Sequence, residues 1–203
     1  GEAGYLNLNA RYANGTVGFA NVLNLDCAHA QSIMIDKVQD LNLHKGTHSK
    51  VKVSGLNYAR ITGTYLDVDV AEVHETAEIA DLRHSSVSMS KINKRCEFRG
   101  VNYCQINVKV SKTNCEPRIL VPDASFSDIV VSIPKTLKVS CLLRSNYGKT
   151  EFDVPSSMKQ HVVENTMDYS QTRMHTLLNT TAFTPSSVID IKNSRGNIII
   201  KGY

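Results

Sequence analysis

Residues 48–73 read HSKVKVSGLNYARITGTYLDVDVAEV. Within them Lys50-Val51-Lys52-Val53 and Asp67-Val68-Asp69-Val70 alternate charged with β-branched residues, the period-two pattern of a strand with one buried face. The two strings lie 17 residues apart, and His48 and Tyr65 keep the same spacing ahead of them. Similar alternation recurs at Thr16-Val17-Gly18-Phe19, Ser32-Ile33-Met34-Ile35, Ser86-Val87-Ser88-Met89 and Gln105-Ile106-Asn107-Val108. With Val17, Ile33, Val51, Val68, Val87 and Ile106 taken as equivalent, the chain repeats every 16 to 19 residues.

A second alternation falls between most of these strands, at Leu6-Asn7-Leu8, Leu23-Asn24-Leu25 and Leu41-Asn42-Leu43, and more weakly at Ala59-Arg60-Ile61, Ile79 and Cys96-Glu97-Phe98. Val22, Val38, Leu56, Val73 and Ile92 follow the first strands as inward-pointing corner positions. Two strands of four or five residues with their turns use about 17 residues at ~3.3 Å each, which returns the chain near its start and lets the next repeat stack ~4.8 Å away. Stacking buries the column Val51, Val68, Val87 and Ile106, which no repeat could bury alone. The expected fold is therefore all-β, a parallel β-solenoid or β-helix with 16–19 residues per coil. Adjacent coils would set Lys50 and Lys52 beside Asp67 and Asp69, an exposed ladder worth ~0.2–1 kcal/mol per pair. His48, Tyr65, His84 and Tyr103 form another column, at a coil corner, where stacked rings would shield the turn.

Composition agrees with this reading. The 203 residues are 41% hydrophobic and 21% charged, with no Trp and only 6% aromatic residues, so the interior is aliphatic and rich in β-branched side chains. The net charge of +4 is spread along the chain, without the basic cluster that a nucleic-acid groove needs. No apolar run approaches the ~18 residues of a membrane span, and Gly1-Glu2-Ala3-Gly4 does not begin a signal peptide; one presumed removed fits an exported protein. Cys27, Cys96, Cys104, Cys115 and Cys141 contain no Cys-x-x-Cys pair. Buried free thiols are the favoured reading, with a single bridge among Cys96, Cys104 and Cys115 as the alternative.

The whole chain, 1–203, reads as one domain with regular coils over 5–110, irregular coils and a long excursion over 111–185, and closing strands over 186–203. Phe126–Ile133, Leu137–Leu142 and Glu151–Val154 continue as strands punctuated by Pro122, Pro134 and Pro155. The polar stretch from Ser156 to Thr184 lacks clean periodicity and reads as a loop with one short strand or helical turn. Ser187–Ile191 and Gly196–Ile200 restore the two-strand unit and would cap the stack.

Apparent catalytic motifs do not survive inspection. His74-Glu75-Thr76-Ala77-Glu78 has Glu78 where a zincin needs its second histidine. The Ser-x-x-Lys strings lack the partner motifs of the enzymes that use them. His48 and His84 fall two coils apart, roughly 9.6 Å, too far to share a metal. Cys27 and His29 are poorly arranged for proton transfer. Asp67 and Asp69 could be imagined as a glycosidase pair, but Lys50 and Lys52 offer a plain neutralising role. No catalytic, metal or cofactor site is expected, and none of the outward pairs repeats the Thr array of an ice-binding surface. Asn14-Gly15-Thr16 and Asn179-Thr180-Thr181 match the glycosylation sequon.

The repeated polar-aromatic residue followed by Val-x-Val, with the closing Ser194-Arg195-Gly196-Asn197-Ile198-Ile199-Ile200, resembles the bacterial putative auto-transporter adhesins of the head GIN domain type and related adhesin-like repeat proteins. The resemblance is clearest over 5–110 and 186–203. It implies a right-handed solenoid, a secreted or envelope location in a Gram-negative bacterium, and no catalytic residues. The functional expectation is a non-enzymatic surface protein that presents its stacked strands to a glycan or protein ligand. A polysaccharide-acting enzyme on the same scaffold and a structural spacer are the alternatives. The enzyme reading requires a groove where carboxylates and a Lys or Arg from adjacent coils converge. End-to-end or other self-association through strand edges is the remaining partner expectation.

Overall fold

The structure is a computed structural model that describes residues 2–111, 115–181 and 186–203; parts of the expected irregular region, at 112–114 and 182–185, lie outside the described residues. It is all-β, a parallel β-solenoid of about seven turns, and no helix among the described residues is long and apolar enough to cross a membrane. In chain order the strands are β1 (Glu2–Arg11), β2 (Gly15–Ala28), β3 (Ile33–Val70), β4 (Val73–Arg83), β5 (Ser86–Ile92), β6 (Arg95–Arg99), β7 (Val101–Asn102), β8 (Gln105–Val110), β9 (Arg118–Ser125), β10 (Asp128–Ile133), β11 (Val139–Asn146), β12 (Thr150–Asp153), β13 (Gln160–Met167), β14 (Gln171–Leu178), β15 (Val188–Ser194) and β16 (Ile198–Gly202). The 38-residue β3 bends round the corners and contributes to both faces. One face stacks the Val-x-Val strands, ending β3-β5-β8-β10-β16-β12; the other stacks the Leu-x-Leu strands, ending β3-β4-β6-β9-β15-β11-β14-β13.

Alternation places one aliphatic layer per coil inside. Val68, Val87, Ile106, Ile129, Ile198 and, from the other face, Ile61, Ile79, Phe98 and Ile119 are all buried to within 1% of complete. Each such side chain contributes about 1.5–3 kcal/mol, which makes the core a continuous apolar rod. Leu56, Val73, Ile92 and Val110 succeed one another at the inner corner through direct register pairs.

Three features depart from the sequence reading. Leu23 stacks on Leu41 and Leu25 on Leu43, and this register pairs Val17 with Ile35 and Gly15 with Ile33. Ala20, not Val22, therefore shares the inner corner with Val38; Val22 is half-buried on the outside. The stretch expected to be a loop holds an antiparallel hairpin, β13–β14, whose β14 lies antiparallel on β11. Its pattern was hidden because β13 is exposed on both faces and so needs no alternation.

The expected closing unit, 186–203, is not at the end of the stack. β15 lies between β9 and β11, and β16 between β10 and β12. After β10 the connection at 134–138 skips one coil position, the chain builds the coil 139–153 and the hairpin, and its C-terminal segment returns to fill the gap. Ile129 N donates to Asn197 O at 2.9 Å and Ile198 N to Lys149 O at 2.8 Å, so both edges of the returning coil are used. The hairpin, not the C-terminus, covers that end of the second face.

Candidate functional site

The corner column is longer than the four residues found by spacing. Tyr12, His29, His48, Tyr65, His84, Tyr103 and Phe126 stack with centroids 4.6–5.0 Å apart and planes within 4–19°. Arg195 of the returning coil continues it, its guanidinium 5.2 Å from the Phe126 ring and 5.9 Å from that of Tyr147. All nine residues have left-handed backbone, φ between +45° and +59°. That conformation costs a residue with a Cβ roughly 1–2 kcal/mol, and ring stacking worth ~0.5–1.5 kcal/mol per contact offsets it. Tyr12 and His29 escaped the spacing rule because the first two repeats are shifted in register, and His29 precedes Ile33 by four residues, not three.

Behind the rings, Ser49, Ser85 and Ser127 occupy alternate coils. Each hydroxyl donates to the carbonyl two residues back and accepts the backbone N–H of the neighbouring coil, at Ala30, Leu66 and Cys104 respectively. The column is thus tied into the backbone. From His29 to Tyr103 each ring is covered on both faces, so along the ridge edges and not faces reach solvent and it is ill suited to stacking a sugar there; among the described residues the outer face of Tyr12, 81% exposed, carries no ring. Among the described residues no group of three or more His, Cys, Asp or Glu is gathered for a metal ion.

On the first face, Lys50 Nζ lies 2.8 Å from Asp67 Oδ2, both about half exposed. The hydrogen bond to Asp67, then its charge and that of Asp69, push the Lys50 ammonium pKa up. Lys52 and Asp69 form no ion pair within 4.0 Å. Ser140 Oγ and His175 Nε2 lie 3.0 Å apart, joining β11 to the hairpin. Among the described residues no carboxylate oxygen lies within 4.0 Å of His175, and Ser140 is 8% exposed, so the pair serves as a fastening. Cys27, Cys96, Cys104 and Cys141 are buried free thiols and Cys115 a half-buried one. Of the two sequons, Asn179 has both amide hydrogens committed to Lys135 O and Leu137 O, whereas exposed Asn14 accepts from Ser32 N through its side-chain oxygen.

The second face carries the more promising surface. Asn7, Asn24 and Asn42 form a hydrogen-bonded ladder at 2.8 and 2.9 Å, with the Tyr5 hydroxyl on Asn24. Beyond it Arg60 Nε reaches Glu78 Oε2 at 3.4 Å. Asp40, Asn42, Tyr58, Arg60, Thr76 and Glu78, from three successive coils, line a shallow groove of about 310 Å³. In the sequence these groups form a polar step of 17 or 18 residues along Asn7, Asn24, Asn42, Arg60 and Glu78, set between the buried apolar residues of each strand.

Next along the face, Glu97 is 6% exposed and held by Arg95 and Arg99, each at 2.5 Å. Burial alone would raise its carboxyl pKa, but the hydrogen bonds from Arg99 and Arg95 and their charges outweigh burial and hold it below the usual range. A lowered folded pKa means stability that is complete above the unfolded value of about 4.3 and is lost as pH falls through the folded value. Glu97→Gln is accordingly expected to cost roughly 1 kcal/mol at pH 7, small because both arginines are half-exposed and screened, with a gap that narrows as pH falls below the unfolded value. Thermal melts of both proteins from pH 7 to 2 check this; an equal gap at all pH values would contradict it.

No family model, curated protein or solved structure matches the chain.

Proposed function

We propose that this chain is a non-enzymatic cell-envelope or surface protein of adhesin type that binds glycan on its second face, in the groove around Arg60. The groove itself supports the reading. Asp40, Asn42, Arg60 and Glu78 are planar side chains able to make paired hydrogen bonds with vicinal hydroxyls, and half-exposed Tyr58 adds a ring at the rim. The Arg60–Glu78 pair and the neighbouring Asn ladder preset these groups before a ligand arrives.

A glycan array followed by titration of the hits tests this. Arg60→Ala and Tyr58→Ala are each expected to lower affinity about tenfold, the loss of one charge-assisted hydrogen bond or one ring contact, while Asp67→Ala on the opposite face leaves it unchanged. Binding lost through Asp67→Ala and not Arg60→Ala would move the site to the first face. No binding to any glycan would contradict the proposal.

The same groove favours one second reading, a polysaccharide-acting enzyme, because Asp40 and Glu78 flank Arg60 from adjacent coils. In that case bound polysaccharide would gain new chain ends, and Glu78→Gln would stop their formation while retaining binding. The Arg60 contact favours Glu78 as a fixed acceptor and therefore the binding role.

A further inference from the structure

We propose that two copies of this chain associate through β13, antiparallel and about a two-fold axis, forming a continuous sheet β14–β13–β13–β14. β13 ends the sheet, and among the described residues it pairs only with β14. Among the described residues its other edge is a row of unpaired backbone donors and acceptors, a ready template for another strand. The strand contains neither Pro nor Lys, the residues that commonly blunt such edges, and seven of its eight residues are exposed. Val162 is 55% exposed, Met167 70% and, just past the strand, Tyr169 99%.

Charge selects the partner and its direction. Lys159 and His161 stand at the start of the strand and Asp168 just past its end, with Glu164 in its middle. Antiparallel pairing of two copies sets the basic end of each against the acidic end of the other, whereas parallel pairing of two β13 strands would set like against like. Glu164 is already held by Arg173 at 3.1 Å; Asp168, whose Oδ1 accepts from Tyr169 N at 2.6 Å, is the acid placed to face Lys159 of the second copy with its other oxygen. The rival partner edge is β1, at the far end of the stack. β1 runs in the same direction as β13, so that contact would be a parallel pairing, less stable per residue, and head-to-tail, so that it would polymerise without closing.

The test is sedimentation equilibrium over a concentration series, with hydrogen exchange of the β13 amides read at each concentration. A monomer–dimer equilibrium in which β13 amides gain protection with concentration is the expected result. Lys159→Glu and Asp168→Lys, made in separate chains, each place like charges opposite one another twice in a homodimer and are expected to weaken it about tenfold; an equimolar mixture of the two restores both attractive contacts and the dimer. The mixture guards against a variant that merely damages the hairpin. A chain monomeric at every concentration, a dimer whose β13 amides stay unprotected, an open-ended polymer, or a mixture no tighter than its components would each overturn the proposal.

Discussion

Deleting residues 186–203 is expected to undock everything from residue 139 to 178 while the coils over 5–110 stay folded. The segment supplies a coil hydrogen-bonded on both edges, so its loss separates β9 and β10 from β11 and β12 instead of trimming an end. Ile189, Ile191, Ile198 and Ile200 are each fully buried, together about 6–12 kcal/mol of apolar burial, comparable to the whole stability of an ordinary domain. Hydrogen exchange by region is the appropriate readout, because stability in a stack is a sum over neighbouring coils. Fast exchange throughout β11–β14 with protected β3–β8 is expected; protection retained in β11 and β14 would mean that this unit docks without the returning coil. Ile200→Asp is the point version, placing a carboxylate between Val131 and Phe152 at a cost of about 4 kcal/mol or more.

A single methyl group should have an effect nearly as large at Gly63. A Cβ there would lie 2.3 Å from the backbone oxygen of Gly46 in the preceding coil, and backbone cannot swing aside as a side chain can. Gly63→Ala must push two coils apart or tilt them, and about 3 kcal/mol or more of destabilisation is expected from such overpacking. Gly55→Ala is the matched control: its added Cβ would meet nothing closer than His74 Nε2 at 4.0 Å, and it should be neutral or slightly stabilising. Chemical denaturation of the two variants separates them; equal effects would contradict the close approach at Gly63.

The period of Val-x-Val strings revealed the solenoid because each coil must bury the same two or three positions, and burial writes itself into sequence as alternation. Polar columns obey the same period, but composition varies freely outside, so Asn42, Arg60 and Glu78 look unrelated until they are stacked. The ring column was readable where the turn length is constant, from His48 to Tyr103, and by the same three-residue offset it continues to Phe126, Tyr147 and Arg195. The order of coils could not be read this way. Ile198-Ile199-Ile200 has the pattern of any coil, and nothing local distinguishes a strand at the end of a stack from one inserted within it; that is decided by partners 69 residues away, across the register pair Ile129–Ile198. Such long-range pairing also implies that this coil and the 139–178 unit dock together and late during folding, since β11 and β12 reach β9 and β10 through it.

The position of the returning coil is the claim on which the rest of the architecture depends, and backbone proton NOEs across β16 measure it directly. Contacts from Ile199 to both Val130 and Glu151 are predicted, since Ile199 lies between them. Contacts between Val130 and Glu151 themselves, with Ile199 touching only one of the two, would place the C-terminal coil at the end of the stack and contradict the account.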